Sequence, residues 1–83
     1  MPGIPLDINT LVIEDKNELV GHLIISGYNN LEVFEITDNA LQNILSLTIE
    51  NNPKLKSIII GDNSCTYTMN ITLSSKIYLI QLI

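Results

Sequence analysis

Apolar residues recur along the chain in short segments of one form, in which positions i, i+3 and i+5 are apolar. Segments of this form, complete or partial, begin at Ile8, Val20, Leu31, Ile44, Leu55, Thr68 and Leu79. In an extended segment every second side chain points to the same face, so the last two apolar residues share one side of a strand. The pattern therefore predicts an all-β chain of short strands.

Turn-forming residues separate these segments at a nearly constant interval. Asn, Asp, Gly and Pro cluster at residues 15–17, 27–30, 38–39, 51–53 and 61–63. Such clusters mark turns, because these residues adopt the backbone conformations that turns require. One strand, a turn, a second strand and a turn make one coil, and neighbouring coils are predicted to pair strand on strand in parallel.

The segments repeat with a period of 24 residues, which gives about three coils with two short strands each. The pair Asp38-Asn39 returns unchanged one period later as Asp62-Asn63. Residues one period apart match in rows, which are Leu23-Leu47-Ile71, Ile25-Ile49-Leu73, Leu31-Leu55-Leu79 and Phe34-Ile58-Leu82. The inward positions predict a core that includes Phe34, Ile36, Leu47, Ile49, Ile58 and Ile60.

Two structural alternatives stay open. A β-sandwich also contains many short strands, although a sandwich needs no fixed period. Residues 40–43 could hold one helical turn, since apolar residues recur at helical spacing between Asp38 and Ile49.

Composition excludes several classes of partner. The net charge is −5, with nine acidic and four basic residues and no basic cluster, so the chain is a poor ligand for nucleic acid or anionic membranes.

No stretch approaches the roughly 20 apolar residues that span a bilayer, so no membrane insertion is expected. Residues 1–7 lack the basic and apolar regions of a signal peptide. The single cysteine, Cys65, excludes an internal disulfide.

Two segments resemble leucine-rich repeats. Residues 31–41 and 55–65 both follow the pattern L-x-x-L-x-L-x-x-N-x-L, with Phe or Ile at some Leu places and Cys65 at the last one. The chain is similar to the irregular Ile-rich and Asn-rich arrays of protist and bacterial surface proteins. The resemblance implies a leucine-rich-repeat-like β-solenoid. The half-repeats are too short to leave much room for convex helices, so two sheets are expected rather than a horseshoe.

The resemblance also implies that Asn39 and Asn63 form a buried asparagine ladder. The stacked carboxylates of Asp38 and Asp62 are interpreted as a solvated acidic row rather than a metal site, because the chain lacks a Gly-rich calcium-binding repeat. His22 is expected to point outward beside Ser46 and Asn70.

Three further features carry little chemistry. Cys65 occupies an apolar repeat position, where a free cysteine acts as a small hydrophobe. Asn70-Ile71-Thr72 is a glycosylation sequon, but such triplets arise often in an Asn-rich chain. No paired acids, nucleophile with a base or Gly-rich phosphate loop is present, so the chain is expected not to be an enzyme and to need no cofactor.

The leading hypothesis is a protein-interaction module, because repeat arrays present broad rigid faces to protein partners. The expected contact surface lies on the sheet that carries Val12, Val33, Glu35, Ser57 and Ile59 outward. Strand propensity alone would also explain apolar residues there. The alternative is a structural spacer in a larger surface or adhesin-like repeat protein.

The ends of the array differ. Residues 1–7 are interpreted as an extension or small cap, and residues 8–83 as the repeat array, expected to be a fragment of a longer one. The last segment is apolar, and an unpaired strand edge is a template for another chain. Self-association is therefore expected through Ile77, Leu79, Ile80 and Leu82.

Overall fold

The structure, a computed structural model, describes residues 4–73 completely and residues 79–82 by their backbone. It is all-β in these parts. The seven strands are β1 (Thr10–Ile13), β2 (Gly21–Ser26), β3 (Val33–Ile36), β4 (Ile44–Glu50), β5 (Ser57–Ile60), β6 (Asn70–Leu73) and β7 (Leu79–Leu82).

The strands form two parallel sheets. One sheet has the order β1-β3-β5-β7 and the other has the order β2-β4-β6, so consecutive strands lie in different sheets. In the three-stranded sheet Leu23 lies opposite Leu47, and Leu47 lies opposite Ile71. These residues are one period apart, so the pairing confirms the predicted parallel stacking of successive repeats.

The step between paired strands changes along the four-stranded sheet. Phe34 pairs with Ile58, one full period later, whereas Ile58 pairs with Ile80, which comes before a full period is complete. The predicted match of Ile58 with Leu82 is therefore wrong, and Leu82 lies opposite Ile60. The shorter step has a sequence rationale, because the segment beginning at Ile77 satisfies the full apolar pattern, with Ile80 and Leu82 at the next two apolar places.

The core lies between the two sheets. All six residues predicted for it are buried, and they belong to one cluster with residues of both sheets. The side chains of Ile4 and Ile8 pack against this cluster, whereas Leu6 is exposed. Met1 to Gly3, the other part of the predicted cap, lie outside the described residues.

The turns repeat the backbone conformation of the preceding repeat. Asp15, Asn39 and Asn63 occupy the same position in successive repeats and have φ angles of 62°, 61° and 56°. This left-handed region costs little for Asn and Asp, which explains their recurrence there. Leu41, with a φ angle of 51°, also lies in this region, so the helical turn considered for residues 40–43 does not form.

Gly61 is required because the backbone of the preceding repeat lies against it. Its amide donates to the carbonyl of Ile36 at 2.7 Å, and a Cβ at this position would lie 2.6 Å from both Asp38 N and Thr37 C. Neither backbone atom can move freely. Gly61→Ala should therefore reduce the free energy of unfolding by about 1–3 kcal/mol, the usual range for overpacking.

Urea unfolding followed by circular dichroism would measure this loss. Gly27→Asn is the matched control, since Gly27 has open space around it and its counterpart one repeat later is Asn51, with a φ angle of 56°. We expect that control to stay near the parent. An unchanged midpoint for Gly61→Ala would contradict the close approach.

Candidate protein-interaction surface

The outward face of the four-stranded sheet carries all five residues predicted to bind a partner. Parallel register aligns them in two rows that run across the sheet, and successive strands in each row are about 4.8 Å apart. One row is Thr10-Val33-Ser57, and the other is Val12-Glu35-Ile59. The buried residues of these strands alternate with them, so the five side chains share the side away from the core.

This face is apolar around one carboxylate. Val12 is exposed, whereas Val33, Glu35, Ser57 and Ile59 are half-buried by their neighbours in the sheet. Glu35 lies between Val12 and Ile59 in its row. A partner that covered the face would bury apolar surface and would have to provide a donor for Glu35, because an unpaired buried charge is costly.

An ion pair lies just before the strands at one margin of this face. Lys56 Nζ lies 2.9 Å from Glu32 Oε1, and the Glu32 carbonyl accepts hydrogen bonds from the amides of Lys56 and Ser57. The hydrogen bond from Lys56 is the largest cause that lowers the pKa of the Glu32 carboxyl, and the positive charge of Lys56 is the second. Both side chains are largely exposed, so solvent screening leaves the pair only a small contribution to stability.

Lys56→Met should raise the pKa of Glu32 back towards the ordinary value for glutamate. With a lowered pKa in the folded state, the pair contributes stability above the unfolded pKa and loses it as the pH falls through the folded pKa. The carboxyl carbon shift of Glu32, followed by NMR between pH 2 and pH 7, measures this pKa. A Glu32 pKa that is the same in both proteins would contradict this ion pair.

The three-stranded sheet presents His22, Ser46 and Asn70 in one outward row, as the sequence predicted. A hydrogen bond joins His22 Nδ1 and the Ser46 hydroxyl, and His22 is exposed. The next row contains Thr48 and Thr72 but begins with Ile24, which is exposed. This face therefore carries an apolar side chain among its polar ones.

The asparagine ladder is present, but the prediction that it is buried is wrong. Asn63 Nδ2 donates to Asn39 Oδ1 at 2.8 Å, and both residues are exposed because the inward places of the Asn39 turn are taken by Ala40 and Leu41. The buried asparagine is Asn52, which precedes Pro53 in another turn. Asn52 Nδ2 donates to the Ile25 carbonyl and its Oδ1 accepts from the Tyr28 amide, each at 3.0 Å.

The acidic row at Asp38 and Asp62 is held by the backbone. The amide of Asp62 donates to Asp38 Oδ1 at 2.7 Å, so a protein donor satisfies one carboxylate oxygen. Both residues are exposed. Within the residues that the structure describes, no three His, Cys, Asp or Glu side chains converge as a metal site would require.

Cys65 is half-buried against the core, at the position that Leu41 occupies one repeat earlier, and both residues have a φ angle of 51°. Burial raises the pKa of the Cys65 thiol, although hydrogen bonds with Thr68 and Ser64 oppose this effect. A raised pKa disfavours the reactive thiolate. Asn70 of the sequon lies in β6 and is exposed, and its glycosylation stays a prediction.

Comparisons with protein-family models, curated proteins and solved structures find no match to this chain. Residues 4–73 and 79–82 contain no helix long and apolar enough to span a membrane.

Proposed function

We propose that the chain is a non-catalytic protein-interaction module built on a leucine-rich-repeat-like solenoid. The support for the solenoid is the repetition of local structure. Strands of successive repeats pair in parallel, and residues one period apart share the same turn conformation. Each repeat then contacts its neighbours, which is how repeat arrays build one continuous core.

The observation that carries the interaction function is the face around Glu35. Val12 and Ile59 flank this carboxylate in one row, and Val33 adds a further apolar side chain in the next row. The strands beneath are fixed by a buried core, so the face is rigid and little conformational entropy is lost on binding. The partner that fits is a protein with an apolar patch and one central basic or hydrogen-bond donor group.

Two matched surface variants test this proposal. Val12→Glu with Ile59→Glu places charge on the proposed face, and Ile24→Glu with Thr48→Glu places the same charge on the opposite sheet. Proteins retained by the immobilised parent are identified, and each is then titrated against all three forms. We expect at least a tenfold weaker Kd for the first variant and an unchanged Kd for the second.

Equal loss of binding in both variants would contradict the assignment of the face. Retention of no protein by the parent would favour the alternative, in which the chain is a structural spacer of a larger repeat protein. Circular dichroism of each variant distinguishes lost binding from lost folding.

A further inference from the structure

Strand β6 differs in side-chain burial from the other two strands of its sheet. The inward apolar residues of β2 and β4, which are Leu23, Ile25, Leu47 and Ile49, are at most 8% exposed. Their counterparts in β6 are Ile71 and Leu73, and these are 45% and 36% exposed. β6 is also the edge of its sheet. A strand with the core pattern thus has exposed apolar side chains and, within the described residues, pairs along one edge only.

Further apolar side chains extend this exposed region. Tyr67 and Met69, just before β6, are 65% and 81% exposed, and Leu45 on the neighbouring strand is also exposed. The Met69 amide donates to the Leu45 carbonyl at 2.8 Å, so Met69 and Leu45 lie on adjacent, hydrogen-bonded backbone segments. We call the set Leu45, Tyr67, Met69, Ile71 and Leu73 the β6 patch. Contiguous apolar surface of this kind marks an interaction site.

We propose that the β6 patch binds a second copy of this chain, with the two β6 strands pairing antiparallel about a twofold axis. The pairing would satisfy the backbone groups along the edge of β6 that no described strand pairs, and would join the two three-stranded sheets into one six-stranded sheet. This surface is separate from the predicted residues at 77–82, where Ile77 lies outside the described residues and the side chains of Leu79, Ile80 and Leu82 are not described.

Charge favours a second copy as the occupant. The chain has a net charge of −5, so most surfaces of two copies repel each other. Residues 63–73 contain no Asp, Glu, Lys, Arg or His, so two β6 patches meet without like-charge repulsion. A specific dimer needs about 1,000 Å² of total buried area, and five large, well-exposed side chains on each copy are on the scale to supply it.

The opposite end of the array does not match the patch. Leu11, Ile13 and the inward residues of β2 are buried there, and Ile4, Ile8 and Leu19 pack against the core. That end also carries the acidic residues Asp7, Glu14, Asp15 and Glu18. The two described ends are not complementary, and a patch that pairs with its own copy gives a closed dimer, whereas two complementary ends would give head-to-tail filaments.

Sedimentation equilibrium of the full chain across a concentration series tests the dimer. We expect the parent to reach a monomer–dimer equilibrium, and Met69→Lys to weaken the dimer at least tenfold while the circular dichroism spectrum stays unchanged. Val20→Lys is the control, because Val20 is 75% exposed but precedes β2 at the other edge of the sheet. A parent that stays monomeric, or equal weakening by the control, would overturn the proposal.

Disulfide trapping distinguishes the two arrangements. In a Cys65→Ser background, Asn70→Cys with Thr72→Cys places both thiols on the outward face of β6. Antiparallel pairing predicts that this variant forms a covalent dimer by itself on oxidation. Head-to-tail stacking would continue the row of Ile24, Thr48 and Thr72, and would cross-link this variant only when it is mixed with a His22→Cys, Ile24→Cys variant in the same background. Cross-linking only in the mixture would refute the twofold dimer.

Discussion

Ile58→Ala should lower the free energy of unfolding by about 2–5 kcal/mol, because it removes buried methyl groups and leaves a cavity. Ile58 is fully buried and lies in β5, between β3 and β7 in the four-stranded sheet. Its backbone pairs with Phe34, the only phenylalanine of the chain and also fully buried. The neighbours are fixed by strand pairing, so the cavity cannot close by local collapse.

The expected loss is a large part of the total stability, which for a chain of this size is on the order of 4–12 kcal/mol. Urea unfolding of the parent and the variant, followed by circular dichroism, provides the measurement. Ile24→Ala is the matched control, since Ile24 is an isoleucine in a strand but is exposed to solvent. For that control we expect the free energy of unfolding to change by no more than about 1 kcal/mol, because strand propensities differ by about that much. Equal losses for both variants would show that Ile58 is not a core residue.

Side-chain alternation and period were sufficient to predict the sheets. Because side chains alternate between the two faces of a strand, a register wrong by a single position would have exposed every core side chain, and the buried positions at Leu47 and Ile58 fix it. A shift by two positions keeps the same face. That explains why the pairing of Ile58 with Ile80 was missed while the strand β7 itself was predicted.

The polar contacts depend on turn geometry, which a repeat pattern does not specify. Asn39 and Asn52 both lie in turns, and only the position of each turn relative to the core decides which amide is buried. Asn52 has a sequence signal, since its counterpart one period earlier is the aromatic residue Tyr28, which is also buried. Polar and aromatic residues at that position indicate a turn that faces inward.

The exposure of β6 could not be predicted from its own residues. Ile71 and Leu73 fit the core pattern as well as Leu47 and Ile49 do. Leu47 and Ile49 lie in β4, which has a paired strand on each side, whereas β6 has one paired strand among the described residues. The repeat pattern of the sequence does not contain this information.

Asn52→Ala should lower the free energy of unfolding by about 2–5 kcal/mol, since each buried polar group that loses its partner costs about 1–3 kcal/mol. Asn52 is 2% exposed and is the only buried polar side chain among the described residues. Its side chain bonds the Ile25 carbonyl and the Tyr28 amide, so it joins the end of β2 and its turn to the next repeat. Asn29→Ala, at an exposed position in the turn after β2, should change stability by less than about 0.5 kcal/mol.

Asn52→Asp separates the hydrogen bonds from the packing. The neutral carboxyl can still accept from the Tyr28 amide and donate to the Ile25 carbonyl, whereas the carboxylate is buried and faces that carbonyl. Burial should therefore raise the pKa of the introduced aspartate above its unfolded value of about 3.9. With a raised folded pKa, the variant should approach the parent below the unfolded pKa and lose stability as the pH rises through the folded pKa. Urea unfolding of parent, alanine and aspartate forms between pH 3 and pH 8 measures both differences. A pH-independent deficit for the aspartate form, equal to that of alanine, would mean that Asn52 acts through its volume and not through these two hydrogen bonds.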